Sequence, residues 1–250
     1  MAPNITVTFQ HINICMKKII ACGCSLTYGG NWSVKTNKFN KFLGYADKLG
    51  NILESEVINL SRPASSNYCI VKQIEHAISF DPNLVIFNMT TPVRIEHMIG
   101  GKTLSKRPRL DNFYYAEYTN SYTETFSGEL NSTTITNAFS KKHGNNENTS
   151  DVADFIVKYL NPEILSDYSR LFMLGAIREL EKNKIPYVCV NFSDIFKEEE
   201  LSDINHISIF WKTMNKDFPG IDDPYHFSEE GHKYLADKLY QYIKDNNILL

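Results

Sequence analysis

Short apolar runs alternate along this chain with stretches whose apolar residues recur every three or four positions. Lys17 to Ala21 reads as a first β-strand, and Phe39, Phe42, Leu43, Ala46, Leu49 and Leu53 follow at the spacing of an amphipathic helix. Glu56-Val57-Ile58-Asn59-Leu60 predicts a second strand. Tyr68, Val71, Ile74, Ala77 and Ile78 predict a second helix, stopped by Asp81-Pro82. Leu84-Val85-Ile86-Phe87 is apolar throughout, as befits a parallel strand covered on both faces. Leu171, Leu174, Ile177 and Leu180 mark a further helix, and Tyr187-Val188-Cys189-Val190 a further strand. Tyr234, Leu235, Leu239 and Ile243 form the core face of a last helix that starts near Glu229. Repeated β-α units predict an α/β fold: a three-layer α/β/α sandwich on a parallel sheet of about five strands.

Between Glu96 and about Pro162 this rhythm stops. The stretch is rich in Tyr, Asn, Thr and Ser, and Lys141-Lys142-His143-Gly144-Asn145-Asn146 is its most loop-like part. A structureless connection of that length is unexpected inside a compact domain, so residues 97–162 read as an insertion. It is either a lid above the carboxyl ends of the strands or a solvated excursion. Residues 1–16 read as an N-terminal extension, with Met16 a second possible start, and residues 17–250 as one domain.

Composition narrows the function classes. The 250 residues, 42% of them hydrophobic, suit one well-packed core. A formal net charge of −3 supplies no basic footprint for phosphates, so a nucleic-acid partner is not expected. No apolar stretch approaches the roughly 20 residues of a membrane span, and Met1 to Cys15 lack the charged and apolar regions of a signal peptide. A cytoplasmic location is therefore expected. Five cysteines (Cys15, Cys22, Cys24, Cys69 and Cys189) form no Cys-x-x-Cys pair and read as free thiols in a reducing compartment. His226 and His232 have no accompanying ligand cluster at metal-site spacing, so neither metal nor cofactor is expected. Gly-x-Gly-x-x-Gly is absent after the first strand, which disfavours a dinucleotide-binding domain.

The candidate chemistry lies at the two ends. Cys22-Gly23-Cys24-Ser25-Leu26-Thr27-Tyr28-Gly29 follows directly on the first strand, so a serine is handed to the carboxyl end of the sheet, where open α/β sheets place ligands. Asp223-Pro224-Tyr225-His226 lies near the other end, ahead of Phe227-Ser228-Glu229-Glu230-Gly231-His232. A serine becomes a useful nucleophile once a histidine accepts its proton, and an acid on the other ring nitrogen fixes the tautomer. Cys24 is an alternative nucleophile. Ser228 suits a helix cap, with Glu229 and Glu230 complementing the helix dipole, and His232 reads as a helix histidine.

These two segments, in this order, resemble the blocks of the SGNH (GDSL-type) hydrolase family, and the resemblance covers the chain from about Lys17 onward. Gly23-Cys24-Ser25-Leu26 stands where that family carries Gly-Asp-Ser-Leu, and Asp223 and His226 match its Asp-x-x-His. The resemblance implies Ser25 as nucleophile, His226 as general base and Asp223 as its orienting acid.

The family's oxyanion-hole blocks are altered here. In Asn59-Leu60-Ser61-Arg62-Pro63-Ala64-Ser65-Ser66-Asn67, Ala64 or Ser65 stands where the family has glycine, and each can still donate a backbone N–H. Asn67, at the start of the second helix, is either a side-chain donor to the oxyanion or a helix cap. Phe87-Asn88-Met89-Thr90-Thr91-Pro92-Val93-Arg94 replaces Gly-x-Asn-Asp, with Thr91 nearest the family's asparagine and Asn88 a turn too early. Arg94 either binds an anionic substrate group or pairs with Glu96. Two functions compete. One is an esterase or deacetylase acting on a carbohydrate or small acyl ester, with Tyr114, Tyr115, Tyr118 and Tyr122 suited to stacking on a sugar. The other is a binding or structural module of the same fold that has lost turnover.

Overall fold

Strand β1 (Lys18–Cys22) runs through the middle of the molecule because four consecutive residues, Ile19, Ile20, Ala21 and Cys22, are apolar and wholly buried. The computed structural model describes residues 17–33, 38–62, 65–90, 92, 95–98, 132–135, 162–192, 196–220 and 223–248. β1 pairs in parallel with β4 (Glu56–Asn59) on one side and β5 (Leu84–Asn88) on the other. Beyond β5 lie β8 (Tyr187–Asn191) and a three-residue edge strand, β9 (His206–Ser208), both parallel. The sheet order is β4-β1-β5-β8-β9, five parallel strands as expected, although β9 was not visible in the hydrophobic pattern.

Side-chain alternation sorts the strands between two cores. Ile20, Cys22, Val85, Phe87, Tyr187 and Cys189 face helices α3 (Asn67–Ile78) and α4 (Pro162–Lys182). Ile19, Ala21, Leu84, Ile86, Val188 and Val190 face α2 (Tyr45–Ile52) and α7 (Glu229–Asp245). Among the described residues the sheet is thus covered on both sides. The shorter helices are α1 (Ser25–Tyr28), α5 (Glu198–Leu201) and α6 (Trp211–Asp217).

Three small antiparallel ribbons supplement the sheet: β2 (Gly30–Ser33) with β3 (Lys38–Lys41), β6 (Ile95–Met98) with β7 (Ser132–Ile135), and β10 (Pro219–Gly220) with β11 (Asp223–Phe227). The first corrects the helix expected from Phe39 onward. Phe39 lies in β3, and Phe42 and Leu43 precede α2, whose first turn is set by the Gly44 N–H donating to Asp47 Oδ2 at 3.0 Å. Three other expected core positions are substantially exposed: Tyr68, Leu171 and Tyr234. The segment 97–162 is described only at β6, β7 and the first residue of α4. The remainder, with Tyr114, Tyr115, Tyr118 and Tyr122, lies outside the described residues, as do residues 1–16. No helix among the described residues is long and apolar enough to cross a membrane.

One buried contact fastens α7 to α2. His232 is fully buried, and its Nδ1 accepts the Tyr45 N–H at 3.1 Å. Accepting through Nδ1 leaves the hydrogen of the neutral ring on Nε2, and Phe227 and Phe42 pack around that ring at centroid distances of 4.4 and 5.1 Å. Burial, reinforced by the nearby His226 and Lys48, pushes the His232 pKa down to about 3. The unfolded chain therefore binds a proton near pH 6.5 that the folded chain refuses. Stability is full above that pH and is lost as pH falls toward 3, at up to roughly 1.4 kcal/mol per unit. His232→Asn, which keeps an acceptor for Tyr45, is expected to lower the thermal midpoint at pH 7 and to flatten its fall between pH 6.5 and 4.5. Parallel acid limbs in wild type and variant would assign the acid sensitivity to other groups.

Candidate active site

The turn that carries Ser25 is built where β1 ends beside β5. Sheet order reverses at this pair, β4 lying to one side of β1 and the later strands to the other, and open α/β sheets leave a crevice at such a point. Gly23 follows β1, Cys24 is the N-cap of α1, and Ser25 is its first residue. Gly23 is required by proximity, since a β-carbon there would collide with Asn88 Oδ1 and Thr27 Oγ1. Gly29, which ends the turn with φ +82°, lies so close to Gly44 that a β-carbon would sit 2.5 Å from the Gly44 nitrogen.

Polar side chains fix this turn from several directions. The Gly23 N–H donates to Gln73 Oε1 at 2.6 Å, and Gln73 Nε2 donates to Ser65 Oγ at 3.2 Å. The Cys24 N–H donates to Asn88 Oδ1 at 3.2 Å, and the Thr27 hydroxyl donates to the same oxygen. Thr27 Oγ1 lies 2.7 Å from the Tyr45 hydroxyl, and the Thr27 carbonyl accepts from Asn59 Nδ2 at 3.2 Å. Gln73, Asn88, Thr27 and Tyr45 are all fully buried. Sequence reading assigned none of them to the site, because their partners, Gly23 for Gln73, Cys24 and Thr27 for Asn88 and Tyr45 for Thr27, come together only once the chain has folded.

His226 reaches the turn from the opposite end of the chain. Its Nε2 lies 2.8 Å from Ser25 Oγ. Ser25 is 5% exposed and His226 half-buried, so the pair is sheltered yet open on the histidine side. His226 lies within β11 rather than on a loop. The β10–β11 register jumps from Gly220↔Asp223 to Pro219↔Phe227, so Pro224, Tyr225 and His226 bulge out opposite β10. In a regular strand residues 223 and 226 would face opposite sides; a bulge removes that rule and re-aims side chains. Only the backbone of Asp223 is described, within β11. Ser228 caps α7, its Oγ accepting the Gly231 N–H at 3.4 Å.

The expected oxyanion groups divide. Ser25 opens α1, so its N–H has no acceptor within the helix. Ser65 is occupied elsewhere: its N–H and its hydroxyl both donate to the Arg62 carbonyl, at 3.3 and 2.9 Å. Asn67 is not the cap of α3; Ser66 is, accepting the Cys69 N–H at 3.2 Å. The Asn67 amide instead brackets the backbone of Thr90, donating to its carbonyl at 2.9 Å and accepting its N–H at 2.8 Å. One Nδ2 hydrogen of Asn67 is thereby committed. Ala64, Thr91 and Arg94 lie outside the described residues. Cys24 is 2% exposed and packs into the core on the α2–α7 side, with its Sγ 3.5 Å from Asn88 Nδ2, so the histidine meets Ser25. Cys22, Cys24, Cys69 and Cys189 are buried free thiols, and burial raises the pKa of Cys22 and Cys189 far above the usual thiol value.

Comparison with known proteins places the fold. No protein-family model matches the chain, and no curated protein matches it in sequence. Among solved structures, the chain is similar to a carbohydrate esterase whose active site is described as displaying divergent catalytic and non-catalytic binding functions. That likeness has TM-score 0.50 and 12% identity, over 94% of this chain and 67% of the other. It is also similar to a lipase/acylhydrolase from Enterococcus faecalis, with TM-score 0.48 and 14% identity over 92% and 97%. A carbohydrate acetylesterase from Sinorhizobium meliloti aligns with TM-score 0.49 and 10% identity over 92% and 99%. At 12% identity the likeness to the carbohydrate esterase speaks to architecture alone, which in this chain is a five-stranded parallel sheet flanked by helices.

Proposed function

We propose that the protein is a serine ester hydrolase of the SGNH kind, in which Ser25 attacks an acyl carbonyl and His226 takes the serine proton. The observation that carries this reading is the 2.8 Å approach of His226 Nε2 to Ser25 Oγ at the carboxyl end of β1. For that contact to be productive Nε2 must be unprotonated and accept the hydroxyl hydrogen, leaving the proton of the neutral ring on Nδ1. Asp223 is proposed to accept that Nδ1–H, which holds the tautomer and stabilises the imidazolium formed on attack. The protonated ring then returns its proton to the leaving alcohol, and the acyl group stays on Ser25. Water, deprotonated by the same imidazole, releases the acid.

The developing oxyanion requires fixed donors. The Ser25 N–H is the first, with Ala64 N–H and Thr91 as further candidates; the donors of Ser65 are already bound to Arg62. The substrate class proposed is a carbohydrate or small acyl ester, with Arg94 available to an anionic group. The occupied donors of Ser65 and the latch made by Asn67 favour a second reading, in which the site binds such a ligand with weak or no turnover.

Hydrolysis of a short-chain chromogenic ester by wild type and Ser25→Ala tests the first reading. The substitution is expected to lower kcat by roughly 10³-fold or more. Equal rates in the two proteins discard it, and a fluorophosphonate that leaves wild type unlabelled favours the binding module. Asn67→Ala strands two buried backbone groups of Thr90, so it is expected to cost about 1–3 kcal/mol of stability. Its kcat per folded molecule should fall by less than about tenfold. A loss on the order of 10²-fold at constant KM would instead make Asn67 an oxyanion donor.

A further inference from the structure

We infer that Asn88 is a positioning residue for the nucleophile, acting with Thr27 to hold the turn on both sides of Ser25; this rests on the serine-hydrolase reading. Asn88 is the last residue of β5 and is fully buried. A carboxamide offers two acceptor sites and two hydrogens. Oδ1 takes the Cys24 N–H at 3.2 Å and the Thr27 hydroxyl, while Nδ2 donates to the Met89 carbonyl at 2.8 Å and meets Cys24 Sγ at 3.5 Å. All four positions are filled, and three of them by the turn that carries Ser25. No hydrogen remains for a substrate oxygen, so Asn88 acts through Ser25 and not on the reacting atoms.

The direction of each bond follows from the groups. Asn88 Oδ1 only accepts, so the single Thr27 hydroxyl hydrogen points to it, and the Tyr45 hydroxyl must donate to Thr27 Oγ1, 2.7 Å away. Tyr45 is itself fully buried and held protonated by that burial, which keeps it a donor. Ser25 is thus bracketed by a pinned N–H one residue before it and a pinned hydroxyl two residues after it, both on one carboxamide of the neighbouring strand. Both bonds tie the turn to the end of β5, so a shift of the turn relative to that strand strains them together. A displacement on the order of 1 Å in a reacting group can cost about 10²-fold in rate.

Three variants test this: Asn88→Ala, Thr27→Val, which keeps shape and loses the hydroxyl, and Thr27→Ser, which keeps the hydroxyl. Each is read by kcat and KM on a chromogenic short-chain ester, by the rate of Ser25 labelling with a fluorophosphonate, and by thermal midpoint. Asn88→Ala and Thr27→Val are expected to lose about 10- to 100-fold in both kcat and labelling rate, with KM within about twofold of wild type. Thr27→Ser should recover most of the Thr27→Val loss. Normal rates per folded molecule with a lowered midpoint would reduce Asn88 to packing and overturn the inference, as would a Thr27→Ser loss equal to that of Thr27→Val. Should Asn88→Ala fail to fold, the two Thr27 variants decide. Wild type without Ser25-dependent labelling overturns the hydrolase reading and the positioning role together. Labelled wild type with unaffected variants overturns the positioning role alone.

Discussion

Everything at the candidate site depends on how closely β1 and β5 approach at their carboxyl ends. At Gly23 the space that a side chain would occupy is taken by Asn88 Oδ1 and Thr27 Oγ1. That proximity lets one carboxamide reach both the residue before Ser25 and a hydroxyl after it. On the other side Gln73, carried by α3, receives the Gly23 N–H. The turn holding Ser25 is therefore suspended between rigid elements, and precision at a reacting group is inherited from the elements that carry it. Each of these bonds is formed by a buried polar group, which costs free energy if left unpaired. Satisfying them together selects one arrangement of the turn over its near alternatives.

The same network continues to the histidine. Tyr45 holds Thr27 through its hydroxyl, and through its backbone N–H it holds His232, whose ring packs on Phe227, the neighbour of His226. Ser25 and His226 thus share a buried connection in addition to their own hydrogen bond. The helices that carry it, α2 and α7, are further tied by the ion pair of Lys48 with Glu229 at 2.8 Å. That pair is partly exposed and contributes little by itself. The buried side chains beneath it do the positioning.

Much of the scaffold was legible because the central strands are buried on both faces and read as unbroken apolar runs, as Leu84 to Phe87 do. The edge strand β9 was not, since three residues with the intermediate burial of His206 and Ile207 leave no pattern to count. Phe39 and Phe42 continue the helical spacing of α2 by coincidence, and only the β2–β3 pairing shows that the chain is extended there. Ser25 and His226 were visible as motif residues. Asn88 stands a turn too early along the chain for the family's oxyanion donor, and its partners lie across the sheet, 61 and 64 residues away in sequence. Gln73 was hidden in the same way, as a polar residue on an otherwise apolar helix face whose partner is 50 residues distant. Local spacing reports which face of an element is apolar, not which backbone N–H a buried amide will find.

Ser25 and His226 are separated by 201 residues. During synthesis the amino-terminal part of a chain emerges and begins to organise first. Strands β1, β4 and β5 can therefore set the serine in its turn well before the β10–β11 ribbon exists. His226 arrives only with that ribbon, and α7, which follows it, docks on α2. A chain interrupted anywhere earlier would carry Ser25 without its histidine partner. The contact between Ser25 and His226 is in this sense withheld until the last described elements of the chain are in place.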